Sequence, residues 1–547
     1  MEHVVETGSG FGTRVAPFVV DRAKGRARIV ALYGALLVIA TFTFLGAQAN
    51  DQFETATFTL VAQKAVAIPH QALRTREIAP GVDLAKRSAI SSRRLLPMLL
   101  RFGQKLRPKP SPNTAALPAE PRVTTPDRRQ EPRRIKVRDR SGRTVVARIH
   151  GGTGGETHVM LPDGQLGVPE ELTFTDEPFR PATPSEVAEG LLAGPLAGFN
   201  LKTSSHYLVF YKSTPEFAEQ SARVLEGLYA CLVDAFRRKE VSVHESEFPL
   251  VAVIFGTEAE FRQFREVDPQ IRAYYEIYTN RIYMFETSEQ LEAAPEVAAL
   301  RRPQTVAHEG THQILQNIGI QPRLAAWPPW LIEGLAEYCA TPVMTRKGTA
   351  WSFLGAVNAE HLATIRDLAD PDAGQFLGQA PPIVMGRKPD QPLVEYVVTR
   401  TELTPTDYAL SWAVTHYLAW KRLDDFMAYV KLMSQLQPLE PRTPEQQLAV
   451  FRAAFKTDLT RLDKDINKYL GRLKVANPLP FYTMVFEQRM PGDAIRRAAI
   501  VSQSPSVIRQ WLDAVTTPRG EYPSFHVFEF ETKTPAMSTA DAFVRGQ

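Results

Sequence analysis

The hydrophobic pattern of the 547-residue chain changes several times along its length. Between residues 143 and 178 apolar and polar positions alternate in short runs separated by glycine-containing turns, which predicts a small β-rich module built as a meander. From residue 185 to residue 476, strand-like runs alternate with helical spacing and then give way to helices alone. Residues 477–547 have weak periodicity and many turn residues, so we expect a partly ordered extension with a helix near residues 492–502 and a loose end.

Individual elements of residues 185–476 follow from the same spacing. A long amphipathic helix is predicted at 215–238, and helical spacing is clearest from Pro303 to Gly319, because proline is typical of a first helical turn and glycine of a helix end. Strands and further helices are predicted at residues 207–211, 250–255, 258–266, 280–285, 408–422, 424–435, 444–456 and 459–474. The predicted fold class is therefore α+β, with a small mixed sheet, a central helix and a helical C-terminal lobe.

The most apolar segment, residues 29–49, reads IVALYGALLVIATFTFLGAQA and carries no charge over a length that can span a bilayer. A cluster of basic residues between positions 22 and 28 precedes it, and such a cluster stays on the cytoplasmic side. We expect residues 1–50 to be either a cleaved signal peptide or an uncleaved membrane anchor, and the small residues at the end of the segment leave both open. Either alternative places the rest of the chain on the exported, periplasmic or extracellular face.

Composition separates residues 51–142 from the rest of the chain. Residues 71–140 hold eighteen Lys and Arg against six Asp and Glu, together with nine prolines, whereas the net charge of the whole chain is only +4. Such a composition favours an extended, solvated chain, so we interpret residues 51–142 as a disordered Pro/Arg-rich linker. A basic strap for anionic polymer is the alternative interpretation, and nucleic acid is not an expected partner because the segment is exported.

Cysteine content limits the available chemistry. Cys231 and Cys339 are the only cysteines, which excludes a disulfide framework and a cysteine-rich metal module and leaves open whether the two form one bridge. Any metal must therefore be held by histidines and carboxylates. Most of the eleven histidines, His361 among them, have no ligand spacing, and we interpret these as structural or exposed.

One pair of histidines does have ligand spacing. Residues 308–312 read HEGTH on the predicted central helix. Four residues turn an α-helix through about 400°, so His308 and His312 leave the same face one turn apart and can share one ion. Glu309 follows the first histidine directly, where its carboxylate suits a general base that acts on a water at the metal.

A second helix supplies a third ligand. Residues 328–338 read PPWLIEGLAEY, a pattern with a proline start that places Glu333 and Glu337 on one helical face. Glu333 can complete a site with His308 and His312 and leave a fourth position open for water, as catalytic zinc prefers. Glu337, one turn along, can hydrogen-bond an imidazole that binds the metal.

The order HEGTH, twenty intervening residues, then EGLAEY resembles the gluzincin pattern of thermolysin-like and aminopeptidase-N-like zinc metallopeptidases, and also an uncharacterised domain-of-unknown-function group among the MA-like peptidases. The resemblance covers roughly residues 200–420. It implies a zincin-like metallopeptidase domain over residues 185–476, with Zn²⁺ on His308, His312 and Glu333. The third histidine of metzincins and the exopeptidase run of the aminopeptidases are missing, so the substrate stays open.

The same resemblance implies further site residues. In this superfamily a Tyr or His from a downstream helix donates a hydrogen bond to the developing oxyanion, and the candidates here are Tyr408 and His416. For each of them a role in the hydrophobic core is an equally good interpretation. By analogy, the third predicted strand would be the sheet edge along which an extended peptide binds, with Asn280, Arg281 and Tyr283 as substrate-binding residues.

These features predict an exported or membrane-anchored zinc peptidase that hydrolyses peptide bonds, with Glu309 activating water. The expected partners are a peptide or protein substrate and, through residues 1–50, the membrane, whereas the oligomeric state is not predicted. The alternative is a non-catalytic cell-envelope binding protein in which zinc staples the fold.

Overall fold

The structure, a computed structural model, describes most of the chain after residue 131. All of the described residues belong to one compact unit. The predicted signal or anchor at residues 29–49 and nearly all of the predicted linker lie outside the described part. Within the described part, no helix is long and apolar enough to cross a membrane. The described residues are 3–8, 132–139, 142–153, 155–345, 348–351, 353–370, 372, 387–388, 390–492, 494–516 and 523–546.

The described residues form a mixed α/β structure with several sheets and fourteen helices. The strands are β1 (His3–Gly8), β2 (Arg134–Arg138), β3 (Thr144–Thr153), β4 (Glu156–Met160), β5 (Leu166–Gly167), β6 (Thr173–Phe174), β7 (Asn200–Thr203), β8 (Tyr207–Tyr211), β9 (Leu250–Thr257), β10 (Ala273–Glu276), β11 (Arg281–Thr287), β12 (Val343–Thr345), β13 (Gly348–Ala350), β14 (Phe481–Arg489), β15 (Ile495–Ser502) and β16 (Ser524–Phe530). The helices are α1 (Pro184–Leu192), α2 (Pro215–Arg237), α3 (Glu258–Phe264), α4 (Glu289–Ala293), α5 (Pro295–Asn317), α6 (Pro329–Ala340), α7 (Ala359–Leu368), α8 (Leu393–Val398), α9 (Pro405–Lys421), α10 (Leu423–Met433), α11 (Pro444–Phe455), α12 (Leu459–Leu470), α13 (Pro505–Val515) and α14 (Lys533–Arg545).

The sheet nearest the histidine pair has five strands in the order β10-β11-β9-β8-β7. Its three central strands are parallel, and the outer strands β7 and β10 pair antiparallel with their neighbours. Successive residues of the central strands are buried on opposite faces. Phe210 and Val253 pack with α1 and α3, whereas Ala252 and Ile254 pack with α2 and α5. Helices on both faces explain why these strands read as continuous apolar runs in the sequence.

Two expectations about this region were wrong. Strand β11, predicted to be the sheet edge, pairs with β10, so β10 is the edge strand on that side among the described strands. Helix α5 begins at Pro295, and Pro303 lies inside it instead of in its first turn. Pro303 removes one backbone hydrogen bond, and packing of the long buried face of α5 outweighs that loss. The predicted helix end is confirmed, since Gly319 follows the helix with a φ of 85°.

The helices after β11 share one hydrophobic core with the inner face of the sheet. Trp330 of α6 and Trp412 of α9 are fully buried, and Trp330 stacks on Tyr429 with ring centroids 6.1 Å apart. Cys231 and Cys339 are both buried, and both thiols are free. The helices predicted after residue 408 are present as α9 to α12, and they share this core with the sheet.

A second sheet precedes the central one. It has five antiparallel strands in the order β5-β4-β3-β2-β6 around the buried side chains of Ile135, Ala147 and Val159. The β-rich module predicted between residues 143 and 178 is present, but only β3, β4 and β5 pair in succession as a meander, whereas β6 pairs with β2. The sheet also takes a strand, β2, from the last residues of the predicted linker.

The expectation for the C-terminal residues was wrong. Residues 495–502, predicted to be helical, form β15 inside a four-stranded antiparallel sheet of order β1-β15-β14-β16. Helix α14 packs on one face of this sheet through Met537, and α13 packs on the other through Ile508. The end of the chain is therefore packed, because α14 supplies a buried apolar face that the periodicity alone did not distinguish.

Candidate metal centre

Helix α5 carries both histidines and is fixed to the central sheet by polar contacts of its second half. Gln313 Nε2 donates to the carbonyl oxygen of Asn280 at 2.7 Å, and Asn317 Nδ2 donates to Asn280 Oδ1 at 2.7 Å. Gly310 lets α2 approach closely, since a Cβ at this position would lie 2.7 Å from Leu225 Cδ2. These contacts set the position and rotation of the two histidines relative to the sheet.

The nearest nitrogen and oxygen atoms of His308, His312 and Glu333 converge on one point. The two Nε2 atoms lie 3.1 Å apart, and Glu333 Oε2 lies 3.1 Å from His308 Nε2 and 3.5 Å from His312 Nε2. Burial would raise the pKa of Glu333, but His312 and His308 outweigh that effect and hold the pKa well below its usual range. The carboxylate is therefore charged and faces two nitrogen ligands.

These separations match a metal coordination sphere. Ligands bonded at about 2.0–2.1 Å with tetrahedral angles lie about 3.4 Å from one another, and the observed separations are 3.1, 3.1 and 3.5 Å. Glu333 Oε2 is buried and faces the two Nε2 atoms at 3.1 and 3.5 Å. A buried carboxylate is costly unless positive charge compensates it, and either protonated imidazoles or a bound cation would supply that charge here. His308, His312 and Glu333 could therefore hold a metal ion, whose identity the geometry does not decide.

A second carboxylate connects the cluster to a histidine that the sequence did not single out. Glu337 Oε1 lies 3.2 Å from His308 Nδ1, and Glu337 Oε2 lies 2.8 Å from His361 Nε2. Burial would raise the pKa of Glu337, but His361 and His308 outweigh it and keep the pKa well below its usual range. Glu337 thus lies beside the imidazole of His308, the position predicted for a carboxylate that would orient a potential ligand. His361 was interpreted as structural because its distance from the motif along the chain conceals this contact.

Glu309 lies beside the cluster and is buried. Its Oε2 accepts a hydrogen bond of 2.7 Å from the backbone N–H of Tyr275 in β10. Burial raises the pKa of Glu309 and the charge of Glu333 adds to the rise, whereas the two imidazoles and the Tyr275 N–H oppose it. A carboxylate with a raised pKa and a fixed orientation is suited to accept and return a proton.

The two oxyanion candidates occupy different places on α9. The ring of Tyr408 lies 6.4 Å from the ring of His308, centroid to centroid. Burial raises the pKa of Tyr408, and the carboxylates of Glu333 and Glu309 raise it further. His416 lies two turns along the helix, about 12 Å from Tyr408, and its Nδ1 is 2.9 Å from the hydroxyl of Tyr469. The structure therefore brings Tyr408 to the cluster and leaves His416 in an aromatic part of the core.

The residues expected to bind substrate are buried structural groups. Asn280 is 3% exposed and adopts a left-handed backbone conformation with a φ of 58°, and its side chain bonds α5. Arg281 and Tyr283 are also buried, on a strand that β10 covers. The structure does not bring these three side chains to the cluster. The edge beside the cluster belongs to β10, whose Tyr275 N–H points at Glu309.

The described chain thus combines a mixed α/β fold with a His₂Glu cluster that could hold a metal ion. Residues 302–440 match the family model described as "Protein of unknown function (DUF1570)". The matched range contains the three potential ligands together with Glu309 and Tyr408. The expected similarity to a domain-of-unknown-function group is confirmed at this level, and the family description adds no activity. No curated protein matches the chain.

Proposed function

We propose that the chain is an exported or membrane-anchored zinc peptidase with a zincin-like domain. The observation that carries the proposal is the convergence of two imidazoles and one carboxylate at 3.1 to 3.5 Å, with a further buried carboxylate, Glu309, beside them. Two histidines and one glutamate form the ligand set of a zinc site that keeps one position open for reaction. A merely structural zinc site would normally be closed by a fourth protein ligand.

The proposed roles follow from the position and charge of each group. His308, His312 and Glu333 would hold the zinc ion, which when bound would supply Lewis acidity toward a peptide carbonyl and a water molecule. Glu309 would take the proton of the attacking water, which its raised pKa favours, and would return that proton to the more basic leaving amine nitrogen. Tyr408 keeps its hydroxyl proton because its pKa is raised, so it can donate a hydrogen bond to the carbonyl oxygen as negative charge develops.

The substrate would bind in an extended conformation along β10. This strand pairs with β11 on one side and with none of the described strands on the other. The N–H of Tyr275 on that strand already contacts Glu309, so a peptide added at the edge would pass the cluster. Backbone hydrogen bonds along the edge of a sheet can bind a peptide of any sequence. Pockets for its side chains then determine which peptide sequences bind best.

The proposal is tested with the full-length chain, its Glu309→Gln variant and a control, Glu292→Gln, which removes an exposed carboxylate on α4. We expect about one zinc ion per chain in all three proteins, measured by elemental mass spectrometry, and loss of zinc in His312→Ala. Hydrolysis of a quenched-fluorescence peptide library should fall by about 10²- to 10⁴-fold in Glu309→Gln and should persist in Glu292→Gln.

Two results would contradict the proposal. Full hydrolysis by Glu309→Gln would remove the base assignment, and absence of zinc from the purified chain would remove the site. Zinc binding without cleavage of any peptide, together with unfolding when zinc is removed, would favour the non-catalytic cell-envelope binding protein. That alternative draws support from the way the cluster joins α5 to α6, as a staple would.

A further inference from the structure

A pocket beside the cluster is lined by three arginines and contains no carboxylate. It lies between α2, β11, α4 and the first half of α5, and the guanidinium groups belong to Arg272, Arg301 and Arg302. Thr305 and several apolar side chains, Phe217 among them, complete the lining. Guanidinium groups that share an apolar pocket repel one another, and a bound anion would relieve that repulsion.

Within the described part of the chain, Arg301 is the one arginine of the three that is paired with a carboxylate. Arg301 donates from Nη2 to Glu360 Oε2 at 2.6 Å and from the same nitrogen to Gln503 Oε1 at 3.0 Å. Arg302 lies with its guanidinium carbon 6.0 Å from the ring centre of Phe217, and its Nε is buried without an acceptor among the described residues. A buried donor without an acceptor costs free energy that an anionic ligand would recover.

Arg272 is the most accessible of the three. Although the residue is exposed overall, burial of its guanidinium among its neighbours, together with the charge of Arg301, lowers its pKa. The charge of Glu258 acts on Arg272 and opposes this lowering, but Arg262 already donates to Glu258 Oε1 at 2.8 Å. Arg272 and Arg302 are therefore free to bind the same anion, and an arginine fork matches a carboxylate in both shape and charge.

The pocket lies in line with the proposed cleavage site. Arg301 precedes His308 by seven residues on α5, which is about two turns, or about 10 Å along the same helix face. Arg272 directly precedes β10, the strand whose Tyr275 N–H contacts Glu309. An extended peptide advances about 3.3 Å per residue. A peptide on the edge of β10 would therefore reach the pocket about three residues from the cluster.

We propose that this pocket binds a carboxylate of the substrate about three residues from the bond that is cleaved, an inference that rests on the proposed function. The carboxylate is either an Asp or Glu side chain or the terminus of the peptide chain. If the pocket binds a side chain, the enzyme would be selective for acidic peptides. If it binds the terminal carboxylate, the enzyme would cleave at a fixed distance from the end of the peptide. Arg301 is held in place by Glu360, and Arg272 and Arg302 supply the free donors.

The test measures peptide binding rather than cleavage. Its result can therefore be interpreted even if the chain cleaves no peptide. The probes are fluorescein-labelled heptapeptides with one Glu moved through each position, the same peptides with Gln, and each series with a free or an amidated C-terminus. Anisotropy is measured with the full-length, zinc-loaded Glu309→Gln protein at constant ionic strength. We expect the Glu series or the free-acid series to bind roughly 10- to 100-fold more tightly than its neutral partner at one position.

Variants connect that preference to the pocket. Arg302→Gln should reduce the preference to about twofold or less, Arg302→Lys should restore part of it, and Arg272→Gln provides a second variant at an exposed position. Arg238→Gln removes an exposed arginine on a distant helix end and should retain the whole preference. Circular dichroism checks that each variant is folded.

The outcomes separate the two proposals. A preference that depends on Arg302 or Arg272 supports the pocket even if no peptide is cleaved, and which peptide series shows it distinguishes a side chain from a terminus. Equal binding of Glu and Gln peptides and of acid and amide termini overturns the inference, even in an enzyme that cleaves peptides well. A preference that survives both arginine substitutions overturns it as well.

Discussion

Gly334, which follows the proposed ligand Glu333, is predicted to be irreplaceable because two helices meet at its Cα. A Cβ on this residue would lie 2.3 Å from Thr415 Oγ1 and 2.7 Å from the carbonyl oxygen of Ser411, both on α9. Ordinary contacts begin near 3.4 Å, so α6 and α9 would have to separate by about 0.7 Å. The Ser411 oxygen belongs to the backbone and cannot rotate away.

The free energy of unfolding should fall in the Gly334→Ala variant. Alanine gains about 1 kcal/mol over glycine in a helix, whereas overpacking against a rigid neighbour costs about 3 kcal/mol or more. We therefore expect a net loss of about 2 to 3 kcal/mol. Gly227→Ala in α2 is the matched control, because nothing lies within 4 Å of its added Cβ. The free energy of unfolding of that variant should rise by about 0.5 to 1 kcal/mol. The same chemical change should thus have opposite effects on stability at the two positions.

Urea unfolding followed by tryptophan fluorescence measures both effects, since Trp330 and Trp412 are buried on α6 and α9 themselves. Zinc affinity should fall roughly tenfold or more in Gly334→Ala, because Glu333 moves with α6 away from the two imidazoles. Thr415→Ala in the same chain should restore part of the stability. If Gly334→Ala is stabilised as much as Gly227→Ala, the helices are not in the close contact described, and the position of Glu333 needs another explanation.

Further predictions concern the histidines outside the proposed ligand set. His361→Ala removes the partner that lies 2.8 Å from Glu337. Zinc affinity, measured by competition with a chelator, should then fall about 10- to 100-fold, and His361→Gln should recover part of it. An unchanged affinity would show that Glu337 is oriented without His361. Burial lowers the pKa of His416 from 6.5 to about 4. As the pH falls, the unfolded chain therefore protonates His416 before the folded chain does. The stability that neutral His416 allows is complete above pH 6.5 and is lost as the pH falls toward 4. This loss amounts to about 3 kcal/mol of the free energy of unfolding. In His416→Gln, the free energy of unfolding measured in urea should fall less steeply at acid pH. An equally steep fall in the variant would show that other groups cause it.

The residues of the candidate metal centre could be predicted from the local sequence pattern. The four-residue spacing of His308 and His312 depends only on helix geometry, and both elements that carry the three potential ligands were predicted as helices. Glu333 and Glu337 follow the same periodicity on the second helix. Each of these residues was identified because the helix repeat alone determines which side chains share a face.

Contacts between distant segments were not predictable in this way. His361 reaches Glu337 from a different helix, and its spacing from the HEGTH motif resembles no ligand pattern. Strand β10 covers β11 with only four residues, too few for a reliable alternating pattern. Residues 495–502 pair with β14 and with β1, whose residues begin at His3, and short apolar runs fit helix and strand equally well until such partners are known.

The candidate centre therefore depends on two kinds of interaction. His308 and His312 would approach each other in any chain that formed α5, but Glu333 reaches them only because α6 lies between α5 and α9. The approach of α6 to α9 requires a residue without a Cβ at position 334, and its inner face is filled by Trp330. A change at that contact acts on the metal site without altering a ligand. The affinity for an ion thus depends on tertiary packing as much as on the motif, since a shift of under 1 Å in one ligand separates coordination from mere proximity.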